Sequence, residues 1–428
     1  MNKILYKYLG FDVKRHSLKT ELFAGFSTFM VMAYILALAP AAFQGIGGKE
    51  DPFPTSALFA AIAIVACIST LLMAFYAKRP LAIAPGVGLL FFITGTVCNT
   101  MGYSWHFAMT AILLEGILFT ICSLTGISKI FARTIPASLR SAIAVGVGLF
   151  LASLGLKSAG INGSEPAIIS LVDIVTTPEK QLLMFCVLLS GILLVMKVRG
   201  AIFLSLIAST LLGIPMGLTH FDEVISIPDS PLPLFCQFEL SSDVFSVDMI
   251  ACVASIFFMD IFDTIGTTVG ALSGTEYCKK NQYITGMNRI LIVDSIASFI
   301  SGIFGTTPGT TYLESAAGVT EGGRTGLTAF VTALCFVVCI VFSPLFLAIP
   351  APATGGILVV VSVKMFGAIR GINFTDPLEA LPSVLIILFM ALVGSICDGI
   401  VVGVLFYAIL VWAEDVSDHF AKRKANKK

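Results

Sequence analysis

The sequence predicts an all-α membrane protein of about 14 transmembrane segments, arranged as a seven-plus-seven inverted repeat. Three observations predict it: the apolar content, the length of the apolar runs, and a pair of interrupted segments that recurs in the same order. Of 428 residues, 57% are hydrophobic and 12% charged, against roughly a quarter charged in soluble domains. A water-soluble fold cannot hide that much apolar surface, and no nucleic-acid partner is expected; the partner is the lipid bilayer.

Segments such as Glu21 to Pro40, Ser56 to Tyr76, Ser104 to Leu124, Gln181 to Met196 and Ser383 to Val393 are apolar, at or near the ~20 residues of helix that cross a hydrocarbon core. Lipid offers backbone polar groups no partner, so these runs must be helices. Segments start near residues 21, 55, 86, 104, 135, 181, 200, 246, 284, 309, 326, 350, 378 and 398. Thr219 to Asp243, with Pro228, Pro231, Pro233, five acids and no Lys or Arg, separates the seventh from the eighth. The halves are therefore 1–218 and 245–428, joined by an extracellular or periplasmic connector, 219–244.

Charge tests the count independently. With the amino terminus in the cytoplasm, 23 of the 26 basic residues fall on the cytoplasmic side, and Lys49, Lys157 and Lys180 alone fall outside. One missed or invented span would scramble that asymmetry. Both termini are expected in the cytoplasm, with the chain multi-pass in the plasma or inner membrane. The basic start runs directly into a full-length span, so no cleavable signal is expected. The ten Cys lie mostly inside apolar segments and read as small core residues, with neither disulfides nor a metal site expected.

The interrupted segments are Leu81 to Val97, LAIAPGVGLLFFITGTV, and Gly305 to Val319, GTTPGTTYLESAAGV. Further on, Ile135 to Ala137 and Ile349 to Ala351 both read Ile-Pro-Ala and open a Gly-containing apolar helix. Pro and Gly are common in membrane helices, but a shared order of break, helix and Ile-Pro-Ala favours a repeat. Paired breaks mark transporters whose site lies where broken helices meet at the bilayer midplane. Seven spans per half, an odd number, invert the second copy.

An ionised carboxylate in hydrocarbon costs several kcal/mol, so acids deep in spans are functional candidates. Asp260 and Asp263 lie three apart in IFFMDIFDTIGTTVG, with Thr264, Thr267 and Thr268 beside them. Glu314 follows Pro308 by six residues, after Thr310 and Thr311. Such a pocket has hydrogen-bond donors and acceptors and no fixed positive charge, which suits a neutral, flat, amide-like solute better than an anion. A lone intramembrane acid also ties helices together. That reading leads for Glu115 and Asp294, because no break or polar cluster adjoins them in sequence. Phe91 and Phe92 suit stacking on a planar ligand but read first as packing.

On these residues the chain resembles the nucleobase permeases of the xanthine/uracil permease superfamily, in the adenine/guanine/hypoxanthine branch. The matching stretches are GFSTFMVMAYILALAP from Gly25, IAPGVGL from Ile83, IPASLRSAIAVGVGLFLASLGL from Ile135, MDIFDTIGT from Met259 and TTPGTTYLESAAGVTEGGRTG from Thr306. The resemblance implies a core domain, 20–128 with 245–345, moving against a gate domain, 129–218 with 346–420, and a short strand before each of broken helices 3 and 10. It implies that Asp260 contacts the base, that Asp263 is the second acid of the motif, and that Glu314 holds the base edge. Gly86 and Gly88 match the close-approach backbone. Leu90 stands where relatives usually show Asn, so one polar contact is missing or supplied elsewhere.

The expected substrate-binding set is Asp260, Glu314, Asp263, Thr264, Gly86, Gly88, Leu89, Leu90, Thr311, Leu313 and Thr28. Asp260, Glu314 and Asp263 are also the expected proton-coupling set. The implied activity is import of a purine base by proton symport, without a cofactor, and with Na⁺ as the alternative coupling ion. Dimers occur among relatives, which leaves a homodimer open. Two other readings compete. A sulfate-transporter relative usually carries a soluble domain after its last span and a basic or neutral site. A membrane-embedded diphosphate enzyme needs more carboxylates and cationic ligands, and neither a His-Glu zinc motif nor a phosphate loop occurs: Gly47, Gly48 and Lys49 run into Glu50.

Overall fold

Apolar runs of this length leave their amides no partner but their own carbonyls, and the chain folds accordingly. The computed structural model describes residues 2–48, 51–127, 136–161, 176–198, 200–219, 229–239, 242–272, 275–278, 284–394 and 396–425. Ile135 of the first Ile-Pro-Ala, Arg133, Lys279, Lys280 and connector residues 220–228 lie outside them.

Helices begin near most of the expected starts, at Leu18–Met32, Thr55–Leu72, Val87–Phe91, Trp105–Thr125, Ala137–Lys157, Pro178–Val195, Ala201–Gly213, Val247–Leu272, Met287–Ile303, Gly326–Ile340, Ala351–Phe366, Pro377–Leu388 and Ile396–Ala425. The start expected near 309 is a strand followed by the helix Ser315–Thr320, and further short helices run over Asn2–Leu9, Ile35–Ala42 and Ser343–Leu347. Seven helical stretches among the described residues are long and apolar enough to cross a membrane: Leu18–Ala42, Thr55–Ala77, Trp105–Thr125, Ala137–Lys157, Pro178–Val195, Val247–Leu272 and Ala351–Gly371. The chain is a mostly helical, multi-pass membrane protein.

Both breaks become strands. β1, Ile83–Pro85, precedes the five-residue helix Val87–Phe91, and β2, Gly309–Thr311, precedes the six-residue helix Ser315–Thr320. They pair antiparallel with Ile83 opposite Thr311, Ala84 opposite Thr310 and Pro85 opposite Gly309. All six residues are buried. Non-helical backbone is tolerated at membrane depth only where protein covers it, and here the ladder extends at both ends. The Gly86 amide donates to the Pro308 carbonyl at 2.9 Å, and the Tyr312 amide to the Ala82 carbonyl at 3.0 Å. Side chains complete the pairing: the Thr70 hydroxyl lies 3.0 Å from both the amide and the carbonyl of Ile83, and the Ala82 amide donates to the Ser315 hydroxyl at 3.0 Å.

Around this pair the helices approach closely. A Cβ on Gly116 would lie 2.5 Å from the Phe299 backbone, and one on Gly302 would lie 2.8 Å from Leu113 Cα. Small residues let Trp105–Thr125 and Met287–Ile303 pack backbone to backbone, as lipid-embedded helices do.

By packing, the chain forms two units, Met1–Ala132 with Gly155–Ile357, and Arg133–Leu154 with Leu358–Lys428. These are not the sequence halves. The first contains both strands and every acid discussed below. Within the second, the Ser138 hydroxyl donates to Glu379 at 2.6 Å and accepts from the Asn373 amide at 3.0 Å.

Candidate substrate site

The Val247–Leu272 helix carries polar residues at 260, 264, 267 and 268, a spacing that lines these four along one face. That face docks on β2. The Thr264 hydroxyl lies 3.0 Å from that of Thr310, and the Thr267 and Thr268 hydroxyls lie 2.9 and 3.4 Å from that of Thr311. Thr264 also donates to Asp294 on Met287–Ile303, and Ser298 of that helix donates to Asp260 at 2.6 Å. Asp260, Asp294 and Thr264 are all 0% exposed.

The acids fall into two groups. Asp263, half-buried, interacts electrostatically with Glu314, and the hydroxyls of Tyr34 and Tyr312 interact with both. Tyr34 donates to Glu314 at 3.4 Å, and Tyr312 donates across the strand pair to the Pro85 carbonyl. The second group is Glu115, Asp260 and Asp294, which interact electrostatically with one another. Asp260 and Asp294 both interact with Asp263 as well and so link the groups. Among the described residues, no Lys or Arg pairs with Asp260, Asp263, Asp294 or Glu115, and no group of His, Cys, Asp and Glu could hold a metal ion.

The other expected residues take varied places. Gly86 lies against β2, where a Cβ would come within 2.6 Å of Thr310 Cγ2. Leu89 and Leu90 are buried in the short helix beyond β1, and Gly88 between them and the strand is half-buried. The Leu90 carbonyl accepts from the Thr94 hydroxyl at 3.0 Å. Leu313 reaches the Val247–Leu272 helix at Gly270. The buried Thr28 hydroxyl has no hydrogen-bond partner and lies against Gly318 of the Ser315–Thr320 helix. Tyr34, Tyr312, Ser298 and Asp294 join the site without having been singled out for it. In the sequence Tyr34 is one aromatic in an apolar run, and Asp294 has no polar neighbour to mark it beyond Ser295.

The permease family model of the xanthine/uracil type matches residues 19–402. The chain belongs to this permease family. A putative permease of Methanocaldococcus jannaschii is 36% identical to this permease, over 95% of this chain and 92% of that protein. The guanine/hypoxanthine permease PbuO of Bacillus subtilis is 35% identical, over 92% and 91%. The adenine permease AdeP of Escherichia coli is 31% identical, over 94% and 89%. Among solved structures, the transmembrane domain of the cyanobacterial bicarbonate transporter BicA matches this permease with a TM-score of 0.63 at 20% identity, over 90% of this chain and 97% of that one. The anion transporter family member SLC26A9 matches with a TM-score of 0.63 at 14% identity, over 96% and 68%. These two likenesses establish the fold.

Proposed function

We propose that this permease is a secondary active transporter that imports a purine base, adenine, guanine or hypoxanthine, by proton symport. The observation that carries this reading is the grouping of Asp263 and Glu314 with the Tyr34 and Tyr312 hydroxyls beside the β1–β2 pair. A purine edge offers N–H donors and ring-nitrogen acceptors. Carboxylates accept from the former, and a protonated Asp263 or Glu314 donates to the latter. The Tyr34 and Tyr312 hydroxyls, which donate to Glu314 and the Pro85 carbonyl, keep oxygen lone pairs free to accept. The adenine and guanine/hypoxanthine permeases among its relatives support the same solute class.

Proton coupling follows from the energetics of the acids. Each buried charge without a cation costs several kcal/mol, so moving Asp260 and its neighbours between environments is eased by a proton travelling with the base. Alternating access takes the form of a core, 20–128 with 245–345, shifting against a gate, 129–218 with 346–420. The full architecture is a seven-plus-seven inverted repeat in the cell membrane with both termini cytoplasmic. No enzyme chemistry is assigned.

The fold is shared with bicarbonate and SLC26 transporters, which makes anion transport the competing reading. The carboxyls of Asp260, Asp263 and Asp294, with no Lys or Arg paired to them among the described residues, oppose an anion electrostatically. The test is uptake of labelled adenine, guanine and hypoxanthine into vesicles carrying the protein. An inward proton gradient is expected to drive accumulation by up to about tenfold per pH unit for one proton per base, and an uncoupler to abolish it. Uptake that ignores both would refute the coupling, and uptake of bicarbonate or sulfate instead would refute the substrate.

A further inference from the structure

Resting on the proton-symport reading above, we propose that Glu115 holds the transported proton, beside Asp260 and Asp294 and on the far side of Asp260 from the Asp263–Glu314 pair. Glu115 lies in the middle of the Trp105–Thr125 helix and is 0% exposed. Neither of its carboxyl oxygens has a hydrogen-bond partner, and one oxygen each of Asp260 and Asp294 is likewise unpartnered. Four buried carboxyl oxygens in one locus therefore lack the hydrogen that would satisfy them.

Glu21 shows what a structural buried acid looks like in the same chain. It is 1% exposed and accepts from the Arg324 amide at 3.1 Å, from the Thr325 amide at 3.3 Å and from the Thr328 hydroxyl. Its oxygens are occupied in tying helices together. Glu115 makes no such ties, and its helix is already held to Met287–Ile303 by the close approaches at Gly116 and Gly302. The carboxyl is thus not needed for packing, while burying it bare is costly. A proton on Glu115 occupies one of these oxygens, supplies the one donor the locus lacks and relieves like-charge repulsion with Asp260 and Asp294.

The site suits a proton rather than a metal cation, because among the described residues these acids do not converge in a metal-holding group. The other titratable groups on the elements packed against this helix are few. Asp248 and Arg289 are exposed near the ends of their helices, and Cys98 is half-buried beside the buried Cys252. Asp263 interacts with both Asp260 and Asp294. That link gives the coupling its route: a proton arriving near Glu115 alters the charge felt by Asp260, and Asp260 in turn interacts with the base-side acid Asp263. The proton binds a carboxylate oxygen and leaves as a proton, and no bond to the base forms or breaks.

The experiment uses the full chain reconstituted in liposomes, with labelled adenine, guanine and hypoxanthine. Glu115→Gln is expected to keep exchange of labelled for unlabelled base, which needs no net proton movement, and to lose the roughly tenfold accumulation per pH unit. Glu115→Asp is expected to retain gradient-driven accumulation. If Glu115→Gln accumulates base as wild type does, this assignment falls while proton symport stands. If Glu115→Gln and Glu115→Asp both fail to fold or both lose exchange, Glu115 is a packing residue and the assignment also falls. Wild-type protein that exchanges base but ignores the gradient would overturn proton symport, and this site with it.

Discussion

The Gly86 amide donates to the Pro308 carbonyl at 2.9 Å, so the two Pro-Gly breaks, more than two hundred residues apart in the chain, are bonded directly to each other. Everything proposed about the site depends on this junction. It fixes where the short helices after β1 and β2 begin, and it sets Glu314, four residues beyond Thr310, within reach of Tyr34.

The junction has no room for a side chain at Gly86, where a Cβ would lie 2.6 Å from Thr310 Cγ2. Gly86→Val is expected to destabilise the protein by about 1–3 kcal/mol through overpacking and to weaken base binding more than Gly95→Ala, whose Cβ meets nothing within 4 Å. Thermal unfolding and equilibrium binding on the two purified variants check this. Equal behaviour would mean that the strand contact does not shape the site.

Thr264 ties three elements together, donating to Asp294 and meeting the Thr310 hydroxyl. Thr264→Val keeps the shape and removes the donor. It is expected to cost about 1–3 kcal/mol by leaving a buried acceptor unsatisfied, whereas Thr264→Ser is expected to restore most of the loss. Melting of the three proteins side by side reads this out.

Glu21 satisfies two amides and a hydroxyl around the start of the Gly326–Ile340 helix. Glu21→Ala is expected to lower stability by about 3 kcal/mol, with purine specificity unchanged in whatever fraction folds. A changed order of preference among bases would place Glu21 in the transport path rather than in the scaffold.

Much of this was legible in the sequence because membrane burial leaves a strong one-dimensional signal. Helices begin at Thr55, Trp105, Val247 and Gly326, close to where the apolar runs begin, since hydrocarbon admits no other use of an apolar run. The breaks at Pro85 and Pro308 were visible as Pro-Gly steps, and the two strands were expected only through the family resemblance, because three-residue strands carry no periodicity of their own; their pairing was not foreseen. Asp260 and Glu314 stood out for their polar neighbours. Asp294 did not, since its partner Thr264 lies on another helix, 30 residues away. Nor did Tyr34, whose hydroxyl meets an acid 280 residues further on. Contacts of that span are fixed by tertiary packing and leave no local trace.

The most direct test of the account is a thermal-shift panel of adenine, guanine, hypoxanthine, xanthine, uracil, bicarbonate and sulfate on purified wild-type protein and on Glu314→Ala. Adenine, guanine or hypoxanthine is expected to raise the melting temperature of wild type, and none of them that of Glu314→Ala, which still folds. Stabilisation of wild type by an anion alone, or an undiminished purine shift in Glu314→Ala, would contradict the account.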